Sequence, residues 1–97
     1  MGFLLEYDGQ AAGFFHVSLR WASEVGGIEC WLEDLFVLKD FQNKGIGSSV
    51  LRFLKKEIPA KRYRLEVEEE NCGAIALYQK NGFSFLPYKQ MICDGKD

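Results

Sequence analysis

Residues 28–47, IECWLEDLFVLKDFQNKGIG, contain the change of pattern on which the fold turns. Ile28 to Leu38 is apolar except for Glu29, Glu33 and Asp34, the pattern of a central sheet strand buried on both faces. Lys39 to Lys44 is polar and leads into Gly45-Ile46-Gly47-Ser48-Ser49. From there Ile46, Val50, Leu51, Leu54 and Ile58 recur at helical spacing until Pro59 ends the helix. A long strand, a glycine loop and an amphipathic helix thus follow one another.

Working outward, Phe3 to Tyr7 reads as a strand stopped by the turn pair Asp8-Gly9. Ala12 to Trp21 is a second strand, with Phe14, His16, Ser18 and Arg20 on one face and Phe15, Val17 and Leu19 on the other. Ala22 to Gly27 is a polar loop. After the helix, Arg62 to Glu68 alternates Arg64, Glu66 and Glu68 against Leu65 and Val67, a strand with one face in the core. Ala74 to Lys80 is a short helix ended by Asn81-Gly82. Phe83 to Leu86 and Lys89 to Cys93 are expected as strands bending at Pro87, with Asp94 to Asp97 frayed. The order predicts an α/β (α+β) domain with a mixed sheet: parallel pairing around the helix, antiparallel pairing among the opening strands.

Ninety-seven residues, 47% hydrophobic, suffice for one small core, so a single domain over 1–97 is expected. The formal net charge of -2 argues against a general nucleic-acid binder. No stretch approaches the length of an apolar membrane span, and the start lacks the basic residues of a signal peptide. Cys30, Cys72 and Cys93 have no metal-binding spacing, which suits a reduced, cytoplasmic protein.

The segment Gln42-Asn43-Lys44-Gly45-Ile46-Gly47 lies where a strand gives way to a helix. Unsatisfied N–H groups and the helix dipole attract anions there. Two other phosphate loops are excluded: Gly47 is followed by Ser48 rather than Lys, and a third glycine is replaced by Val50. On the loop alone, a plain strand-to-helix turn is the favoured reading.

Further motifs change that balance. Leu32-Glu33-Asp34-Leu35-Phe36-Val37, the Gln-x-x-Gly-x-Gly loop, and Asn71 to Phe83 with its Asn-x-x-Ala-x-x-Leu-Tyr-x-Lys-x-Gly-Phe pattern together resemble the GCN5-related N-acetyltransferase (GNAT) family. Trp31 to Leu51 is most similar to its diamine (spermidine/spermine) branch, and the resemblance spans Ile28 to Phe85. It implies a splayed sheet that holds acetyl-CoA, yielding CoA as product. The pantetheine arm would pair with the backbone of Leu35, Phe36 and Val37. The pyrophosphate would sit on Gln42, Asn43, Lys44, Gly45, Ile46, Gly47 and Ser48. Lys44 is otherwise a solvated loop lysine.

Asn71 and Tyr78 are two helical turns apart, a rise of about 10 Å. The resemblance places Asn71 on the cofactor and makes Tyr78 the general acid for the leaving thiolate; the plainer reading of Tyr78 is a core aromatic. By strand alternation Glu29, Trp31, Glu33, Leu35 and Val37 share a face. The resemblance makes Glu33 the carboxylate that holds or deprotonates the amine, and an ion pair with a neighbouring Lys or Arg competes evenly. Glu29 and Asp34 are weaker candidates. Glu66, Glu68, Glu69 and Glu70 read as a solvated face. His16 reads as a surface residue, and nothing indicates nucleophilic chemistry at Cys72.

The expected activity is acetyl transfer to a primary amine of polyamine-like or amino-acid-like type, with no metal. The alternative is a non-catalytic acyl-CoA-binding domain or a truncated subunit. Family members carry a further strand and two helices ahead of the matched region, which this chain is expected to lack. The sheet surface left bare predicts a homodimer.

Overall fold

The computed structural model describes residues 1–87 and 89–95. Four strands, β1 (Gly2–Tyr7), β2 (Gln10–Ala22), β3 (Gly27–Val37) and β4 (Arg62–Leu65), form one sheet in the order β1-β2-β3-β4. Helix α1 (Ile46–Glu57) joins β3 to β4, and α2 (Cys72–Lys80) follows β4. β1, β2 and β3 pair antiparallel, while β3 and β4 pair parallel, as strands joined through a helix do. The β1–β2 turn uses positive φ at Asp8 and Gly9 (52° and 77°), the two-residue hairpin geometry that Asp-Gly favours.

One face of the sheet carries the core. Phe15, Val17, Cys30 and Leu32 meet Val50, Leu51, Leu54 and Ile58, the apolar stripe visible in the spacing of α1. Each fully buried side chain of this kind contributes about 1.5–3 kcal/mol. Phe3 stacks on Phe15 at 4.6 Å, and Phe53 meets both rings edge-on. α2 lies beside α1, with Leu77 and Tyr78 packed against this core. It ends as its Asn-Gly pair predicts: Gly82 has φ 93°, and the Phe83 N–H donates to the Tyr78 carbonyl at 3.0 Å.

The opposite face is open. Leu4, Phe14 and Phe36 stand in register across β1, β2 and β3, all exposed, with the Phe14 and Phe36 rings 5.7 Å apart. β3 is therefore buried on one face only, not on both. On the other side Phe36 is exposed and Trp31 half-buried.

Two further expectations are corrected. β4 stops at Leu65 rather than Glu68. Phe83–Leu86 and Lys89–Cys93 form no strand. Pro87 has no N–H to give a ladder, and Phe85, Met91 and Ile92 lie exposed instead of packing on a sheet. The fraying expected from Asp94 falls partly on Lys96 and Asp97, outside the described residues.

Candidate functional site

The parallel ladder between β3 and β4 runs from Glu29 opposite Arg62 to Leu32 opposite Leu65, and stops. β3 continues to Val37 paired with β2 alone, while the chain after Leu65 leaves the sheet. The two parallel strands thus part at Leu32, and residues 33–37 border a gap.

A bulge marks the point of parting. The register with β2 passes from Val17 opposite Leu32 to His16 opposite Asp34, so Glu33 is the extra residue. The insertion exchanges the faces of everything after it. Glu29, Trp31 and Glu33 share the open face, joined beyond the bulge by Asp34 and Phe36, whereas Leu35 turns to the core. This corrects the expected alternation, which put Leu35 and Val37 on the face of Glu33.

Backbone direction follows from the same register. The Leu38 N–H donates to the Ala12 carbonyl at 2.7 Å, so the aligned pair two residues back, Phe36 with Phe14, is also turned toward β2. The alternate residues, Leu35 and Val37, direct their N–H and C=O groups into the gap. Gln42 Nε2 donates to the Val37 carbonyl at 3.1 Å, which agrees with that direction and ties the loop to the strand end. Of the three residues expected to offer backbone groups there, Phe36 is thus committed to β2.

The loop itself uses positive φ at Asn43 (63°) and Gly45 (79°). Ser49 is the first residue to reach back, to the Gly45 carbonyl at 3.1 Å. The N–H groups of Ile46, Gly47 and Ser48 therefore open from the start of α1. The two glycines have different reasons. Gly45 has open space around it and serves the backbone conformation, whereas a Cβ on Gly47 would lie 2.7 Å from Leu77 Cδ2. Gly47 thus also serves the close approach of α1 and α2. Ser48 Oγ accepts from Asn81 Nδ2 at 3.1 Å, and Asn71 Oδ1 caps α2 by accepting from the Ala74 N–H at 3.1 Å. Lys44 Nζ lies 5.7 Å from the centre of the Tyr7 ring.

Tyr78 is half-buried, 6.0 Å from the Phe83 ring, and burial pushes its phenol pKa up from the ordinary 10.0. It lines a cavity of about 900 Å³ that follows the outer edge of β4. The cavity runs from Trp31 and Arg64 on the open face round to Ile75 and Tyr78 on the helix face, against Phe85 and Pro87. Glu33 does not line it: Glu33 lies on the open face and Tyr78 packs on the core face, so the two expected catalytic residues lie on different faces of the sheet.

On the open face, Glu29 is buried and fully engaged. Trp31 Nε1 donates to it at 2.8 Å, with Arg64 at 3.4 Å and Arg62 at 3.8 Å. Glu33 is exposed, accepts from Ser18 Oγ at 2.6 Å, and lies 3.7 Å from Arg20. The arginine partner expected as one reading of Glu33 is present, and the carboxylate stays exposed. Glu66, Glu68, Glu69, Glu70 and His16 are exposed, as expected. The residues that sequence reasoning passed over are Arg20, Arg62 and Arg64. Their signal was arginine at alternate positions in β4 beside a strand carrying glutamates at alternate positions.

The acetyltransferase (GNAT) family model matches residues 1–83. A probable spermine N(1)-acetyltransferase of Bacillus subtilis subsp. natto (strain BEST195) is 33% identical over 84% of this chain. A spermine/spermidine N(1)-acetyltransferase of Bacillus subtilis (strain 168) is 32% identical over the same share. The chain spans 57% of the length of each of these relatives. Among solved structures, a V. cholerae integron cassette protein superposes with a TM-score of 0.83 at 19% identity, covering 99% of this chain and 61% of that one. An aminoglycoside N-acetyltransferase AAC(6')-Iy in complex with CoA gives 0.76 at 22% identity, covering 99% of this chain and 75% of that one. No helix among the described residues is long and apolar enough to cross a membrane.

Proposed function

Because this chain belongs to the acetyltransferase (GNAT) family, we propose that it is an acetyl-CoA-dependent N-acetyltransferase acting on a primary amine of polyamine type. The observation that carries this reading is the parting of β3 and β4 at Leu32, with the start of α1 opening at the same end of β3. That arrangement fits an extended, amide-bearing cofactor with a phosphate end. When bound, acetyl-CoA supplies the thioester whose acetyl group is transferred.

The chain's own groups divide the work. The outward N–H and C=O groups of Leu35 and Val37 pair with the pantetheine amides, as a strand edge pairs with a peptide. The N–H groups of Ile46, Gly47 and Ser48, with the turn through Asn43 to Gly45, receive the pyrophosphate. Tyr78 carries its proton at neutral pH, as any phenol with an ordinary pKa of about 10 does, and burial pushes that pKa further up. It is thereby equipped to protonate the departing thiolate. Glu33, bonded to Ser18 Oγ and open to solvent, holds the amine end of the acceptor and takes its proton. The gap at 33–37 joins the face that carries Glu33 to the face that carries the helices.

A polyamine acceptor is supported by the names of the two Bacillus subtilis relatives and by the exposed carboxylates Glu33 and Asp34 side by side on the open face. The exposed row Leu4, Phe14 and Phe36 supports association as a homodimer.

Calorimetry with CoA and thiol release from acetyl-CoA with spermidine and spermine test the reading together. Saturable CoA binding and amine-dependent thiol release are expected. CoA binding without release by any amine would make the chain an acyl-CoA-binding module instead, and absence of CoA binding would overturn the site.

A further inference from the structure

The Trp31 indole on the open face is flanked by two guanidinium groups, one from each neighbouring strand. Arg64 Cζ lies 4.6 Å from the ring centre and Arg20 Cζ 4.5 Å. The two are not held alike. Arg64 is mostly buried, at 16% side-chain exposure, and reaches the Glu29 carboxylate at 3.4 Å. Arg20 is 54% exposed, and its Nη2 stands 3.7 Å from Glu33 Oε1, beyond hydrogen-bond distance. The short bond to that oxygen comes from Ser18 Oγ at 2.6 Å.

An aromatic face closed on one side by a carboxylate is a seat for a cation. Here the seat is filled by a cation of the chain itself. We infer that Arg20 is a built-in competitor for the acceptor: it occupies the Trp31–Glu33 seat in the free protein and yields it to an ammonium group of the amine. The inference rests on the amine-acceptor reading given above. Glu29 is balanced by Arg62 and Arg64, so of the two glutamates on this face Glu33 is the one whose charge is left once Arg20 turns away. An exposed ion pair and an exposed cation–π contact are both weak, so displacement is easy. The competition then sets the amine concentration at which the seat fills.

Calorimetric titration of spermidine into the full chain without acetyl-CoA tests this. Arg20→Gln should bind spermidine about fivefold tighter than wild type, the effect of removing one weak competing contact. Arg20→Lys, which keeps a cation in the seat, should stay near wild type. Lys56→Gln changes the net charge equally from an exposed position on α1 and should gain nothing. Adding Trp31→Leu to Arg20→Gln should abolish the gain. Equal or weaker binding by Arg20→Gln, or an equal gain from Lys56→Gln, would overturn the inference. Thiol release measured in parallel separates it from the activity. Tighter binding with no turnover in any variant would retain the seat and remove acetyl transfer. Turnover of spermidine with the same KM in wild type and Arg20→Gln would retain the activity and remove the seat.

Discussion

The two halves of β3 belong to one continuous strand, yet they do different work. From Gly27 to Leu32 it pairs with β2 throughout and, from Glu29 on, with β4 as well, and its Cys30 and Leu32 side chains lie in the core. From Glu33 to Val37 it keeps β2 alone, and its outer edge faces a gap. The boundary is a single inserted residue, the Glu33 bulge. At this one residue the parallel pairing ends, two successive acidic side chains share the open face, and the strand edge beyond it has no partner strand. The first half supplies rigidity; the second directs the N–H groups of Leu35 and Val37 outward from a rigid base, with the Val37 carbonyl already held by Gln42.

If this division is right, the halves respond unequally to the same change. Leu32→Ala should destabilise the protein by about 3 kcal/mol, and Leu35→Ala, half-buried beyond the bulge, by about 1 kcal/mol. Chemical denaturation checks both, and equal costs would break the comparison. The two glutamates repeat the contrast on the open face. Glu29→Ala leaves Arg62 and Arg64 beside an empty site and should cost about 2 kcal/mol. Glu33→Ala should fall within about 0.5 kcal/mol of wild type, since its arginine pair is exposed, while spermidine turnover drops.

Much of the first half was legible in the sequence, and little of the second. The core face was readable because Phe15 and Val17 alternate, Leu51 and Leu54 recur at helical spacing, and a polar loop separates them. The bulge was not, because Leu32-Glu33-Asp34-Leu35 fits an uninterrupted strand just as well. Only the pairing with His16 and Val17 shows the slip. The residue types of the glycine loop marked only a strand-to-helix turn, its reading as a phosphate loop came from the further motifs, and the packing of Gly47 on Leu77 depends on where two distant helices meet. The misread C-terminal strands had apolar residues at strand-like spacing around Pro87, and apolar content alone does not supply a pairing partner.

The loop that closes the second half sharpens the comparison further. Gly45→Ala places a side chain at φ 79° and should cost about 1 kcal/mol. Gly47→Ala should cost less than about 1 kcal/mol, because a Leu77 methyl can turn aside. CoA affinity should fall more for Gly45→Ala than for Gly47→Ala, as the former distorts the backbone offered to the phosphate. Similar affinities for both variants would remove the loop from the account.

The smallest effect is expected at alkaline pH. Burial raises the pKa of Cys30 from 9.0 and of Tyr78 from 10.0. Both groups are neutral in the folded protein while the unfolded chain ionises first, so their contribution is complete below pH 9 and is lost as pH rises past those values. Tyr78→Phe should flatten the decline above pH 10 by less than about 1 kcal/mol, read from denaturation midpoints across pH. A decline identical to wild type would place the tyrosine in solvent.

Amide hydrogen exchange along β3, with and without saturating acetyl-CoA, tests the division of the strand most directly. In the free protein the amides of Cys30 and Leu32, bonded within the sheet, should exchange slowly, and those of Leu35 and Val37 should exchange fast. Cofactor should protect Leu35 and Val37 strongly while leaving Cys30, Leu32 and Phe36 almost unchanged. Unaltered exchange at Leu35 and Val37 under saturating acetyl-CoA would contradict the claim that this half of the strand is the cofactor's edge.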